Sequence, residues 1–156
     1  MSVVLSASAS SALADADPRT VAYLGLTFLN TSLEPVSPDE ETRLAMASDQ
    51  LAEGLAGSGR YALIDTAPVA SAAGRYQNLA HCNGCDTRFA RALGAEMAVT
   101  GEIQKTSNLI LHISIYMRDA ESGALVNGGS VDIRSNTDES WLRGINYILK
   151  NRILRE

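Results

Sequence analysis

Residues 108–118 read NLILHISIYMR, an alternation of side chains that runs almost unbroken for eleven positions. Leu109, Leu111, Ile113, Ile115 and Met117 fall on one side. Ile110, His112, Ser114, Tyr116 and Arg118 fall on the other. A period of two belongs to a strand with one face toward a core. Such a strand needs further strands beside it and a layer to cover its apolar face. The next five residues, DAESG, suit a hairpin loop with Gly123 at a positive φ. Residues 124–134 then form the return strand.

Upstream, residues 20–29 (TVAYLGLTFL) follow Pro18 as a nearly continuous apolar run, which predicts a buried strand. Ser37-Pro38-Asp39-Glu40 carries the pattern of a capping box with proline at the first helical position. Leu44, Ala47, Leu51 and Leu55 give that helix its apolar stripe, and Gly57 and Gly59 end it. Residues 61–65 (YALID) predict a short second strand. A weak helix is expected around residues 69–79. A short helix over residues 86–93 should put Phe89, Ala92 and Leu93 on one face, and Gly94 stops it. Residues 96–104 (EMAVTGEIQ) predict another strand, with Gly101 at a bulge or close contact. Asn136-Thr137-Asp138-Glu139 caps a last helix with Trp141, Ile145, Ile148, Leu149 and Ile153 as its stripe.

The order β-α-β-α-α-β-β-β-α predicts an α/β fold, an α+β sandwich. One mixed sheet would hold a β-α-β crossover followed by an antiparallel meander, with helices packed on it and a long C-terminal helix. Residues 18–156 are expected to form one α/β domain. Residues 1–17 (MSVVLSASASSALADAD) end in a small-x-small cleavage pattern, Ala12-Leu13-Ala14, but lack a basic start. They read as a signal-peptide remnant, or else as a disordered Ala/Ser tail. The net charge of −5 and the absence of a Lys/Arg cluster exclude a nucleic-acid binder. Lys150, Arg152 and Arg155 suit a helix C-terminus. No run of about 18 apolar residues is present to span a membrane.

The pieces VAYLGLTF, LAGSGRYALID, ALGAEMAVTGEI, RDAESG and NTDESWLRGINYILKNRI, in this order, resemble a family of predicted secreted bacterial proteins. Its architecture is similar to the TolB N-terminal domain, the curli-secretion lipoprotein CsgG and the penicillin-binding-protein activator LpoB. The resemblance covers residues 20–154. It implies a protein of the cell envelope that docks onto other proteins, and it carries over no catalytic residue. The lipobox cysteine of lipid-anchored members is not seen near the start.

Residues 79–89 (LAHCNGCDTRF) hold both cysteines, Cys82 and Cys85. A thioredoxin-like dithiol needs a strand feeding the motif, and SAAGRYQNLAH contains no β-branched run. Haem attachment needs histidine after the second cysteine, where Asp86 stands. Structural zinc needs four ligands, and the nearest set is only His81, Cys82 and Cys85. A local disulfide between Cys82 and Cys85 fits best. Closing so short a loop stabilises by only about 1.9 kcal/mol, so it would fix one turn rather than staple the fold.

The other polar motifs read as structural. His112 and Ser114 are two apart on one strand, about 6.6–7 Å along it and too far for a nucleophile–base pair. Asp39, Glu40, Glu41, Asp138 and Glu139 read as carboxylates favoured by helix starts. GSGR at 57–60 is a helix stop, not a phosphate loop. Trp141 belongs to the core.

These features predict a non-enzymatic periplasmic or secreted protein that binds another envelope protein. It would have no catalytic residues and no cofactor, with its oligomeric state left open. The alternative is a thiol-redox or metal-carrier protein using Cys82, Cys85 and His81.

Overall fold

The computed structural model describes residues 17–156. The expected signal remnant or tail therefore lies, apart from Asp17, outside the described residues. Among those described, one five-stranded sheet forms the centre, in the order β2-β1-β3-β4-β5. The strands are β1 (Arg19–Asn30), β2 (Tyr61–Leu63), β3 (Met97–Ser107), β4 (Ile110–Asp119) and β5 (Leu125–Ile133). β1 is parallel to both β2 and β3, and β3, β4 and β5 run antiparallel in turn. The helices are α1 (Pro38–Gly57), α2 (Ala67–Ala73), α3 (Cys85–Ala92) and α4 (Asp138–Ile148). Leu79–His81 is a 3-10 turn, and Leu149–Ile153 extends α4 as a π turn. This is the α+β sandwich with crossover and meander that the pattern predicts.

The pleat divides the sheet into two unlike faces. On one, Val21, Met97, Val99, Ile103, Leu111, Ile113, Ile115 and Met117 pack against Ala47, Leu51 and Leu55 of α1 and the whole predicted stripe of α4. On the other, Ala22, Ala98 and Ala120 meet Ala90 and Ala95. Small side chains there let α3 lie close to the backbone. Gly101 sits in the first face with no room for a side chain. A β-carbon there would stand 2.7 Å from Ile115 Cδ1, Leu26 Cδ2 and Ser114 O.

Four expectations need correction. Residues 20–29 are not a buried strand throughout, because only Val21 and Ala22 are buried. β2 pairs with β1 at Arg19, Thr20 and Val21 alone, so the rest of β1 has an open edge. A bulge between Tyr23 and Leu26 displaces it further. The weak helix expected over 69–79 ends at Ala73, and the chain then drops to the 3-10 turn. In α3 the buried face is Cys85, Asp86, Thr87 and Ala90, while Ala92 is exposed. Leu109 does not join the alternating apolar row, because it lies in the β3–β4 turn and points to solvent.

The helix caps follow the sequence closely. Ser37 Oγ accepts from the Glu40 N–H, and Glu40 reaches back to the Ser37 N–H. In α4 the reciprocal partners are Thr137 and Ser140, and Asp138 and Glu139 contribute charge in the first turn.

Candidate functional site

The segment of interest lies between α2 and α3, on the alanine face of the sheet. Asn78 caps the 3-10 turn by accepting from the Ala80 N–H. His81 follows, then Cys82 and the tight turn Asn83–Gly84, whose φ values of 58° and 88° are both left-handed. That turn brings the Cys82 and Cys85 α-carbons to 5.5 Å and their sulfurs to disulfide distance. Cys85 opens α3 and is fully buried, whereas Cys82 is half-buried.

His81 turns away from the sulfurs. Its Nε2 lies 3.1 Å from Glu102 Oε1, so it serves the sheet rather than a metal set. Glu102 is the hub of this face. It also accepts from Asn78 Nδ2 at 2.9 Å and from the Tyr116 hydroxyl at 3.3 Å. Burial pushes the Glu102 carboxyl up, but the hydrogen bonds from Asn78, His81 and Tyr116 outweigh it and hold it below the ordinary carboxylate range. Burial raises the Tyr116 hydroxyl, so it stays a donor at neutral pH. The His81 ring meets the Tyr116 ring edge-on at 5.5 Å, and the Arg118 guanidinium lies 5.1 Å from the Tyr116 centroid. Arg118 also bonds Asp86, at 3.3 Å, and so ties β4 to the first turn of α3. A small cavity of about 220 Å³ lies between Cys82, Asp86 and Arg118.

Among the described residues, no group of three or more His, Cys, Asp or Glu side chains is placed to hold a metal ion. His112 shares the sheet face of Tyr116 but pairs with β5 instead of this cluster. Its Nδ1 is 2.5 Å from Asp132 Oδ1, and the neighbouring Ser114 makes no nucleophile–base pair with it.

A second polar centre went unseen in the sequence. Glu40 is not a surface carboxylate at a helix start. It is 1% exposed, and its Oε1 lies 2.5 Å from the Nζ of Lys105, itself 2% exposed. Asn136 donates to the same oxygen at 2.7 Å, and Trp141 Nε1 donates to Asn136 Oδ1 at 2.9 Å. Burial raises Glu40, yet the bonds from Lys105, Ser37 and Asn136 bring its carboxyl below the usual value. The bond to Glu40 holds Lys105 above its own, against the opposing effect of burial. The signal that could have found this pair is periodicity, because Lys105 continues the inward row Val99, Gly101, Ile103.

The α+β sandwich is a fold that other solved structures share. The LpoB C-terminal domain from Salmonella enterica superposes with a TM-score of 0.58 at 12% identity, covering 80% of this chain and 88% of that one. Lipoprotein GNA1162 from Neisseria meningitidis gives 0.55 at 13% identity, covering 78% and 84%. The Escherichia coli LpoB C-terminal domain gives 0.53 at 13%, covering 75% and 83%. No curated protein matches the sequence. The chain belongs to the family DUF3280, described as "Protein of unknown function (DUF2380)", whose profile matches residues 19–153. No helix among the described residues is long and apolar enough to cross a membrane.

Proposed function

We propose that the chain is a non-enzymatic accessory domain of the bacterial cell envelope, periplasmic or secreted, that acts by binding another envelope protein. The observation that carries this reading is the closed state of its most reactive-looking segment. Cys85 is buried against the sheet, and Glu102 already holds Asn78, His81 and Tyr116. Such groups clamp a segment onto a sheet rather than wait for a substrate. The fold shared with LpoB and a neisserial lipoprotein supports the envelope setting.

In this reading Cys82 and Cys85 form a disulfide, residues 18–156 are one domain, and residues 1–17 are the signal remnant or tail. Kinship with the TolB N-terminal domain and CsgG, and secretion itself, belong to the same proposal. No observation favours the thiol-redox or metal-carrier alternative. Fractionation of the native bacterium with maleimide labelling tests it. The protein should appear in the envelope fractions, with both cysteines reacting only after reductant. Two free thiols on a cytoplasmic protein would overturn it.

A further inference from the structure

Four of the eight large apolar side chains exposed among the described residues sit at one end of the sheet, in its loops and at the start of β4. They are Leu33, at full exposure, Val36, Leu109 at 69% and Ile110 at 45%. Three connections hold them there. The Thr31 N–H and hydroxyl both donate to Lys105 O, joining the β1–α1 loop to the end of β3. Asn108 Nδ2 donates to Glu34, so the residues next to Leu33 and Leu109 touch. Asn136 bridges to Asn108 and to buried Glu40, adding the β5–α4 loop. The apolar tips are therefore presented on a rigid base. An exposed group of this kind on a fixed scaffold marks an interaction surface.

Its surroundings say what it would meet. α1 and α4 both start at this end, and their first turns carry Asp39, Glu41, Asp138 and Glu139. Among the described residues Arg43 pairs with Asp138, Arg143 with Glu139, and Lys105 with both Glu40 and Glu34, which leaves Asp39 and Glu41 as the carboxylates without an ion pair, against the exposed Arg134. The rim is acidic around an apolar centre. Anionic lipid headgroups would be repelled by it, and so would a second copy presenting the same end.

We propose that this end of the molecule is the docking surface for a protein partner whose own patch is apolar and ringed by lysine or arginine. The inference rests on the protein-binding reading above and names the surface and the partner's chemistry. Complementary rims of this kind set association rate and specificity, while the apolar centre supplies contact area.

The test is photo-crosslinking in the native cell with p-benzoylphenylalanine at position 33, 109 or 126 of the full chain. Position 126 lies on β5 at the other end of the sheet. The expected result is one protein adduct shared by positions 33 and 109 and missing at 126. The crosslinked partner peptide should lie within a basic, apolar patch. Reversing the rim with Asp39→Lys and Glu41→Lys should cut the yield about tenfold, as like charges replace opposite ones, while the unfolding midpoint falls only slightly, since both residues are exposed and lose only their favourable place at the helix start.

An adduct only at position 126 would overturn this surface and leave the protein-binding reading intact, whereas no adduct at any position would overturn both. A 33–109 adduct unchanged by the charge reversal would overturn the basic partner. Adducts only between copies of this chain, or binding of the purified protein to phosphatidylglycerol vesicles that depends on Leu33 and Leu109, would overturn the proposal in favour of those occupants.

Discussion

Lys105 occupies a place on β3 that its neighbours Val99 and Ile103 prepare for an apolar side chain, and the buried Glu40 carboxylate, with the exposed Glu34 at 3.5 Å, makes that tolerable. Breaking such a pair leaves a lone buried charge, at a cost of about 3–5 kcal/mol. Lys105→Met should therefore lower the free energy of unfolding by that much in urea titration, with Glu40→Gln somewhat milder because the amide still accepts from Asn136 or the Ser37 N–H. In a double-mutant cycle the two losses should not add. Additive losses would mean that the pair does not interact. The pH dependence follows from the directions of the shifts. Glu40 and Glu102 have lowered values in the folded state, so the stability they contribute is present above the ordinary carboxylate value of about 4.3. It is lost as pH falls through their lower folded values. Lys105 has a raised value, so its contribution is complete below about 10.4 and is lost as pH rises through the folded value. Stability should thus be flat between about pH 5 and pH 10 as far as these groups go. Lys105→Met should weaken the acid limb assigned to Glu40, and an acid limb identical to the parent's would contradict the assignment.

At the scale of elements, the turn Asn83–Gly84 and the cysteine pair set where α3 begins, and the Arg118–Asp86 and His81–Glu102 contacts hold the same segment from the sheet. Cys82→Ser with Cys85→Ser should cost about 2 kcal/mol, a fall in Tm of about 4–8 °C for a chain of this size. Hydrogen exchange should quicken in residues 78–92 and remain unchanged in β3 and β4. Equal quickening across the sheet would show the pair to be a global staple instead. The elements show why some of this was legible beforehand. The alternation in β4, the Ser37–Glu40 box and the Trp141–Ile153 stripe are local patterns, and each survived folding. The buried face of α3 was not legible, because Ala90 reaches the alanine patch of the sheet while the bulkier Phe89 is left to pack against Tyr76. The half-burial of β1 depends on β2 being three residues long, a tertiary fact. Of the candidate site, the cysteines were visible from their spacing. Glu102 and Tyr116 were not, since their meeting with His81 depends on the register of β3 with β4 and on where the 3-10 turn lands.

For the molecule as a whole, the larger core cluster draws on α1, every strand, α4 and the π turn after it. That argues for one cooperative unit. Trp141, the single tryptophan of the chain, is fully buried with its ring 5.5 Å from Phe28, so its fluorescence reports this core directly. Fluorescence and far-ultraviolet circular dichroism should follow one coincident denaturant transition. The π turn is part of that unit. Leu149 and Ile153 are buried, Asn127 Nδ2 donates to Ile153 O at 2.9 Å, and Gly54 of α1 lies so close that a β-carbon there would meet Leu149 Cδ1 at 2.4 Å. Burying each of these two apolar side chains contributes about 1.5–3 kcal/mol, a large share of a total stability of about 5–15 kcal/mol. A chain ending at Ile148 should therefore unfold at a far lower denaturant midpoint, or fail to fold, while one ending at Leu154 should match the parent. A midpoint unchanged in the shorter chain would mean that the turn is an appendage and that the core closes without it.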